Sequence, residues 1–212
     1  MGRSVMPSES SIAAPSTSRL EAREESRASS WLPWMACGWA SLYAAYRGYY
    51  ALGGTLGMFG TPVSDEQWRF VNGVAAVLLV LAAMLAAISP QLWKRPRARA
   101  VLVGVGWIIT VGCVMHALVD ETTRILSLAG VLHMELPFFT TIDQRAADLQ
   151  DIFLNEPWFF VEGVLWGALC WRGLRPATHR RWFLASALVA IAVLTVLGIL
   201  SSTGVIGRFI VG

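Results

Sequence analysis

The sequence predicts an all-α, polytopic membrane protein: a bundle of about five transmembrane helices with one amphipathic helix in the third, outer loop. Three observations carry this. The chain of 212 residues is 55% hydrophobic and holds ten Trp, with a mean hydropathy of +0.54, too apolar for a soluble domain of this size. Five stretches suit spans of about 20 residues: roughly Trp31 to Gly53, Val71 to Ser89, Ala100 to Val119, Trp158 to Trp171 and Phe183 to Leu200. The basic residues outside them alternate 4, 1, 4, 2, 4, 1 along the chain. Short loops rich in Arg and Lys stay in the cytoplasm, so the pattern predicts a multi-pass cell-membrane protein with a cytoplasmic N-terminus and an extracytoplasmic C-terminus.

Residues 1–30 are rich in Ser, Glu and Arg and poor in large apolar side chains, which predicts a disordered cytoplasmic tail. The long polar lead argues against a cleaved signal peptide. Residues 31–212 then form a single transmembrane helical domain. The net charge of +3 is explained by the cytoplasmic loops; membrane lipids are the expected surroundings, and nucleic acid is not a partner. Cys37, Cys113 and Cys170 all fall within spans, without disulfide or zinc spacing, and read as small core residues.

In the first outer loop, Asp65 and Glu66 begin a helix, where acids favour the N-terminus. The third span is expected to run on to Leu132, weakened by Gly130 and ended by Pro137. Thr141 and Gln144 fit a capping box for a short helix whose apolar stripe is Ile142, Ala146, Leu149, Ile152 and Phe153, with Asp143, Gln144, Asp148 and Asp151 on the other face. That helix would lie on the outer membrane surface or cap a cavity. Asn155 or Glu156 caps the fourth span, with Pro157 in its first turn.

Seven of the fourteen carboxylates lie between Asp120 and Glu156, and Glu162 lies just inside the fourth span. Acids at that depth mark functional candidates. His116, Asp120 and Arg124 follow at four-residue intervals and share one helix face; the simpler explanation is that Asp120 and Arg124 neutralise each other where the helix leaves the membrane. Glu162 sits between Trp158 and Trp166, so its carboxyl is either protonated or paired; the plainer alternative is a helix–helix hydrogen bond. Tyr43 and Arg47 share a face of the first span, and Arg47 needs an acidic partner, with Glu162 and Asp120 the natural candidates, or must snorkel; the plainer reading is a Tyr-rich interfacial belt. His133 beside Glu135 is weak evidence for a metal. No metal ligand set and no cofactor is predicted, and no phosphate loop, HExxH, GxSxG, CxxC or dinucleotide fingerprint occurs.

The stretches HALVDETTRILSLAG (116–130), EPWFFVEGVLWGAL (156–169) and YYALGG (49–54) resemble a family of small multi-pass bacterial membrane proteins classed as a domain of unknown function. The resemblance covers most of residues 31–172 and implies the membrane fold without an activity. A small residue is usual in that family where this chain has Glu162, a departure that suits an added role. In size, span count and intramembrane acids the chain is also similar, by analogy only, to the integral-membrane terpene cyclases.

These residues predict an enzyme that cyclises or isomerises a lipophilic isoprenoid substrate by acid initiation. Asp120 or Glu162 supplies the proton, His116 and Arg124 position the acid, and Arg47, Tyr43, Trp107, Trp158, Phe159 and Trp166 bind substrate. Aromatic faces stabilise a carbocation, and an epoxide is chemically easier to protonate than an alkene. The alternative is a non-enzymatic accessory subunit or small-molecule-binding protein, partnered by another membrane protein or a second copy. Five spans without a visible repeat argue against a transporter.

Overall fold

Helix direction alternates through the chain, so that residues from five elements meet at one end. The computed structural model describes residues 17–132, 138–175 and 177–206, with residues 17–30 given by backbone alone. It divides into two units, Met1–Trp31 and Leu32–Gly212, and the core and the polar sites belong to the second. The elements are α1 (Thr17–Ala51), β1 (Gly60–Pro62), α2 (Asp65–Leu92), α3 (Pro96–Leu128), β2 (Phe139–Ile142), α4 (Gln144–Gln150), a π-helical turn (Asp151–Asn155), α5 (Glu156–Gly173) and α6 (Ala177–Ser202). Three of these, α2, α3 and α6, are long and apolar enough to cross a membrane.

Several boundaries differ from the sequence prediction. Residues 1–16 of the expected tail lie outside the described residues, while helix α1 already begins at Thr17, in a stretch rich in the helix formers Ala, Glu and Arg. Ser64 caps α2 by accepting from the Gln67 amide at 3.2 Å, and the helix that Asp65 opens continues to Leu92 as the second apolar stretch. Helix α3 stops at Leu128, four residues short of expectation. Gly130 takes φ 72°, and the Val131 and Gly130 amides bond back to the Leu126 and Ser127 carbonyls, a Schellman ending that needs a residue tolerant of left-handed backbone. His133, Glu135 and Pro137 lie outside the described residues.

Thr141 is not a helix cap. It belongs to β2, which pairs antiparallel with β1 through Gly60–Ile142, Thr61–Thr141 and Pro62–Phe139, with an irregularity between Thr61 and Pro62. Strands this short offer no periodicity to read, and their partners lie far apart in sequence. The cap of α4 is Asp143, which accepts from the Ala146 amide at 3.1 Å. Helical backbone then runs unbroken from Gln144 to Gly173. The expected surface helix and fourth span are therefore one rod, whose π-turn is marked by the Glu156 amide bonding the Asp151 carbonyl.

Helix α3 packs most closely on α5 and then on α6. Glycines allow the α3–α5 approach: a Cβ at Gly163 would lie 2.6 Å from Val114 Cγ2 and 3.1 Å from the Thr110 carbonyl, and one at Gly106 would collide with Cys170 Sγ. Small residues at such crossings let helix backbones meet. Those pairings run antiparallel. Against α6 the direction is parallel, since Trp107 bonds Ser186 and Val119 lies against Gly198. A core of Leu102, Leu165, Trp166, Leu169, Cys170, Ala86 and Phe183 fills the interior. Cys170 is a buried member of it, as expected of a small apolar side chain, and all three cysteines are free.

Candidate functional site

The C-terminal ends of α1 and α3, the N-terminal end of α2, and the α4–α5 junction share a hydrogen-bonded polar network. Arg124, which the spacing sets one turn from Asp120, bonds Asp148 Oδ1 at 3.0 Å and Asp151 Oδ2 at 2.7 Å. Asp148 also accepts from Ser127 and Gln144, each at 2.7 Å. Asn155 Nδ2 donates to Asp151 Oδ1 at 2.6 Å, and Tyr43 donates its hydroxyl hydrogen to Asn155 Oδ1 at 3.4 Å. Arg47 completes the chain, donating to the Tyr43 hydroxyl at 2.8 Å and to Asn72 Oδ1 at 3.2 Å. Neither Glu162 nor Asp120 serves Arg47, contrary to the prediction; among the described residues it has only neutral oxygen partners and the faces of Tyr43 and Tyr46.

The polar face of α4 and the π-turn therefore turns toward the protein. Asp148 is 1% exposed, whereas Phe153 is 77% exposed, with Leu149 and Leu154 also outward. Pairing the buried Arg124 with two carboxylates holds this face inward, because unpaired charge is costly there.

Above the network lies a cavity of about 190 Å³, lined by Tyr46, Arg47, Tyr50, Trp68, Arg124, Phe139, Gln150, Asp151 and Asn155. The loop before β1 contributes Gly57, Met58 and Phe59, and β2 contributes Ile142 beside Phe139. Gln150 donates to the Tyr46 hydroxyl at 3.0 Å, and the Tyr50 hydroxyl, which donates to the Leu56 carbonyl at 3.0 Å, lies 3.4 Å from it. The cavity is thus polar, with aromatic edges.

A second cluster stands beside it. His116 Nε2 lies 3.5 Å from Asp120 Oδ2 and 3.9 Å from Glu156 Oε2, and the three donor atoms all lie within 4.8 Å of one another. His116 and Asp120 are partly exposed. Glu156 is 3% exposed, and its Oε2 has no hydrogen-bond partner. This glutamate precedes the apolar stretch of α5; burial, and then the carboxylates of Asp120 and Asp151, push its pKa up to about 9. The sequence identified the His116–Asp120 spacing but not Glu156 as their third member, because that contact crosses between helices.

No family model, curated protein or solved structure matches this chain.

The remaining predicted residues lie apart from the His116 cluster or only border it. Glu162 accepts from Trp166 Nε1 at 2.8 Å, is 4% exposed, and keeps Oε2 without a partner. It sits six residues further into α5 than Glu156, about 9 Å along the axis. Trp166 is wholly buried core. Trp158 stacks on Trp39 at 4.2 Å and on Tyr43 at 5.4 Å, against α1, whereas Phe159 meets His116 edge-on at 4.5 Å and borders the cluster. Trp107 does not. It lines an apolar groove of about 680 Å³ with Trp182, Phe183 and Ser186, thirteen residues or about 20 Å along α3 from Asp120.

Proposed function

We propose that this protein is a five-span membrane protein that receives the anionic head of a lipophilic small molecule in the Arg47 cavity. Arg47 carries the proposal. It lines the cavity while bonded, among the described residues, to neutral oxygens alone, and a guanidinium held in that way favours a phosphate or carboxylate ligand. Met58, Phe59 and Phe139 give the same cavity apolar edges for the start of a hydrocarbon tail. The alternating helix directions, together with the basic loops, support five crossings with the N-terminus cytoplasmic and the C-terminus outside; α5 would be the fourth despite the charged Glu156, Glu162 and Arg172.

The test compares farnesyl phosphate with farnesol on the full chain in lipid nanodiscs by native mass spectrometry. Wild-type protein is expected to bind the phosphate at least tenfold more tightly, and Arg47→Gln to abolish that preference. Equal affinities in the wild type, or a preference that survives Arg47→Gln, would overturn the proposal.

One observation favours the second reading, acid-initiated cyclisation or isomerisation of an isoprenoid: the buried Glu162 carboxyl has one oxygen free of partners. There Glu162 would give a proton to the substrate and a base would later recover one, leaving product mass unchanged. Incubation with linear and epoxidised prenyl compounds should then yield same-mass products with wild-type protein and not with Glu162→Gln. No product from stably inserted wild type would end this reading for those substrates.

A further inference from the structure

We infer that His116, Asp120 and Glu156 form a binding site for a divalent first-row transition metal, with the remaining coordination positions open to water or an outside ligand. The donors come from two helices, His116 and Asp120 one turn apart on α3 and Glu156 at the start of α5. Metal–ligand bonds near 2.1 Å give donor separations of about 3.4 Å in a tetrahedron. The two separations from His116 Nε2, 3.5 and 3.9 Å, need only small side-chain movements to reach that geometry.

An independent observation points to a ligand at this place. Glu156 is 3% exposed, and among the described residues its Oε2, which faces His116, has no hydrogen-bond partner. A buried polar atom left in this way requires an explanation. Arg124 does not supply one, since its two terminal nitrogens are committed to Asp148 and Asp151. A cation between the three side chains would satisfy Oε2 and offset the two carboxylates together.

The donor set narrows the metal. An imidazole with two carboxylates suits Mn²⁺, Fe²⁺ or Zn²⁺, whereas Mg²⁺ and Ca²⁺ prefer oxygen alone. Partial exposure of His116 and Asp120 leaves a path for the ion and for further ligands. The site is separate from the head-group proposal and does not depend on it.

The experiment titrates Mn²⁺ into metal-free full-length protein in nanodiscs and follows the free-ion electron paramagnetic resonance signal, with Zn²⁺ as competitor. One Mn²⁺ per chain should bind, Zn²⁺ should displace it, and the spin-echo envelope of the bound ion should show nitrogen coupling from a directly bound imidazole. Glu156→Gln and His116→Gln should each weaken binding at least tenfold, while Glu121→Gln should leave it unchanged. Absence of binding, absence of nitrogen coupling in the wild type, or unchanged affinity in folded Glu156→Gln and His116→Gln would overturn the inference. The wild-type spectrum decides the matter even where a variant fails to insert.

Discussion

Arg124 donates through Nη1 to Asp148 Oδ1 at 3.0 Å, and this bond ties the end of α3 to α4 where both side chains are almost closed to solvent. Asp148→Ala removes a carboxylate with three donors and leaves Arg124 half paired. Breaking a buried pair costs about 3–5 kcal/mol. Asp120→Asn, which disturbs only a 3.5 Å contact with His116, should cost less than about 1 kcal/mol. Denaturant unfolding of the two variants in micelles compares them directly; equal losses would restore the Asp120–Arg124 pairing that the spacing suggested.

Gly163 should tolerate no side chain. A Cβ there meets Val114 and the Thr110 carbonyl at 2.6 and 3.1 Å, so Gly163→Ala must push α3 and α5 apart. Overpacking of this kind costs about 1–3 kcal/mol. Gly104, with open space around its Cα, is the control, and Gly104→Ala should be neutral or stabilising in the same melt.

Glu156 makes stability fall as pH rises in metal-free protein. Its folded pKa of about 9 exceeds the ordinary value of about 4.3, so the folded form holds the extra proton between the two. The favourable contribution is complete below the lower value and is lost as pH climbs through the upper one. Thermal melts from pH 5 to 9 with chelator should show a declining midpoint, by more than about 3 °C where 1 kcal/mol shifts Tm about 2–4 °C. Glu156→Gln should flatten that slope; a slope of unchanged size would refute the assignment.

Tyr43→Phe separates packing from hydrogen bonding. The ring contacts with Trp158 and Phe159 survive, while the bonds to Arg47 and Asn155 disappear. A loss of about 1–1.5 kcal/mol in stability and weaker farnesyl phosphate binding are expected in the same nanodisc measurement. Unchanged binding would mean that Arg47 is held adequately by Asn72 alone.

Much of this arrangement was legible in the sequence, and the failures share a cause. Apolar stretches, Asp65 with Glu66 at a helix start, and the i, i+4 column on α3 are local patterns, and each located an element or a shared face. Arg124 shows the limit: spacing offered Asp120 one turn away, whereas two acids from another helix approach more closely. The same long-range pairing fixes the polar face of α4 inward, on a helix that periodicity alone described as amphipathic. Glu156 could be seen as a helix cap, but its place opposite His116 depends on the α3–α5 crossing at Gly163, which no local signal sets.

The π-turn at Asp151–Asn155 makes chain length, as well as side-chain identity, a determinant of the network. One residue advances an α-helix by about 100°. Deleting a single position within 151–155 would straighten the rod into continuous α-helix and swing Asp148 away from Arg124, even with every interacting residue retained. Insertions and deletions in this segment should therefore be more damaging than most substitutions, and homologues that keep Arg124 with both aspartates should also conserve the spacing from Asp148 to Glu156.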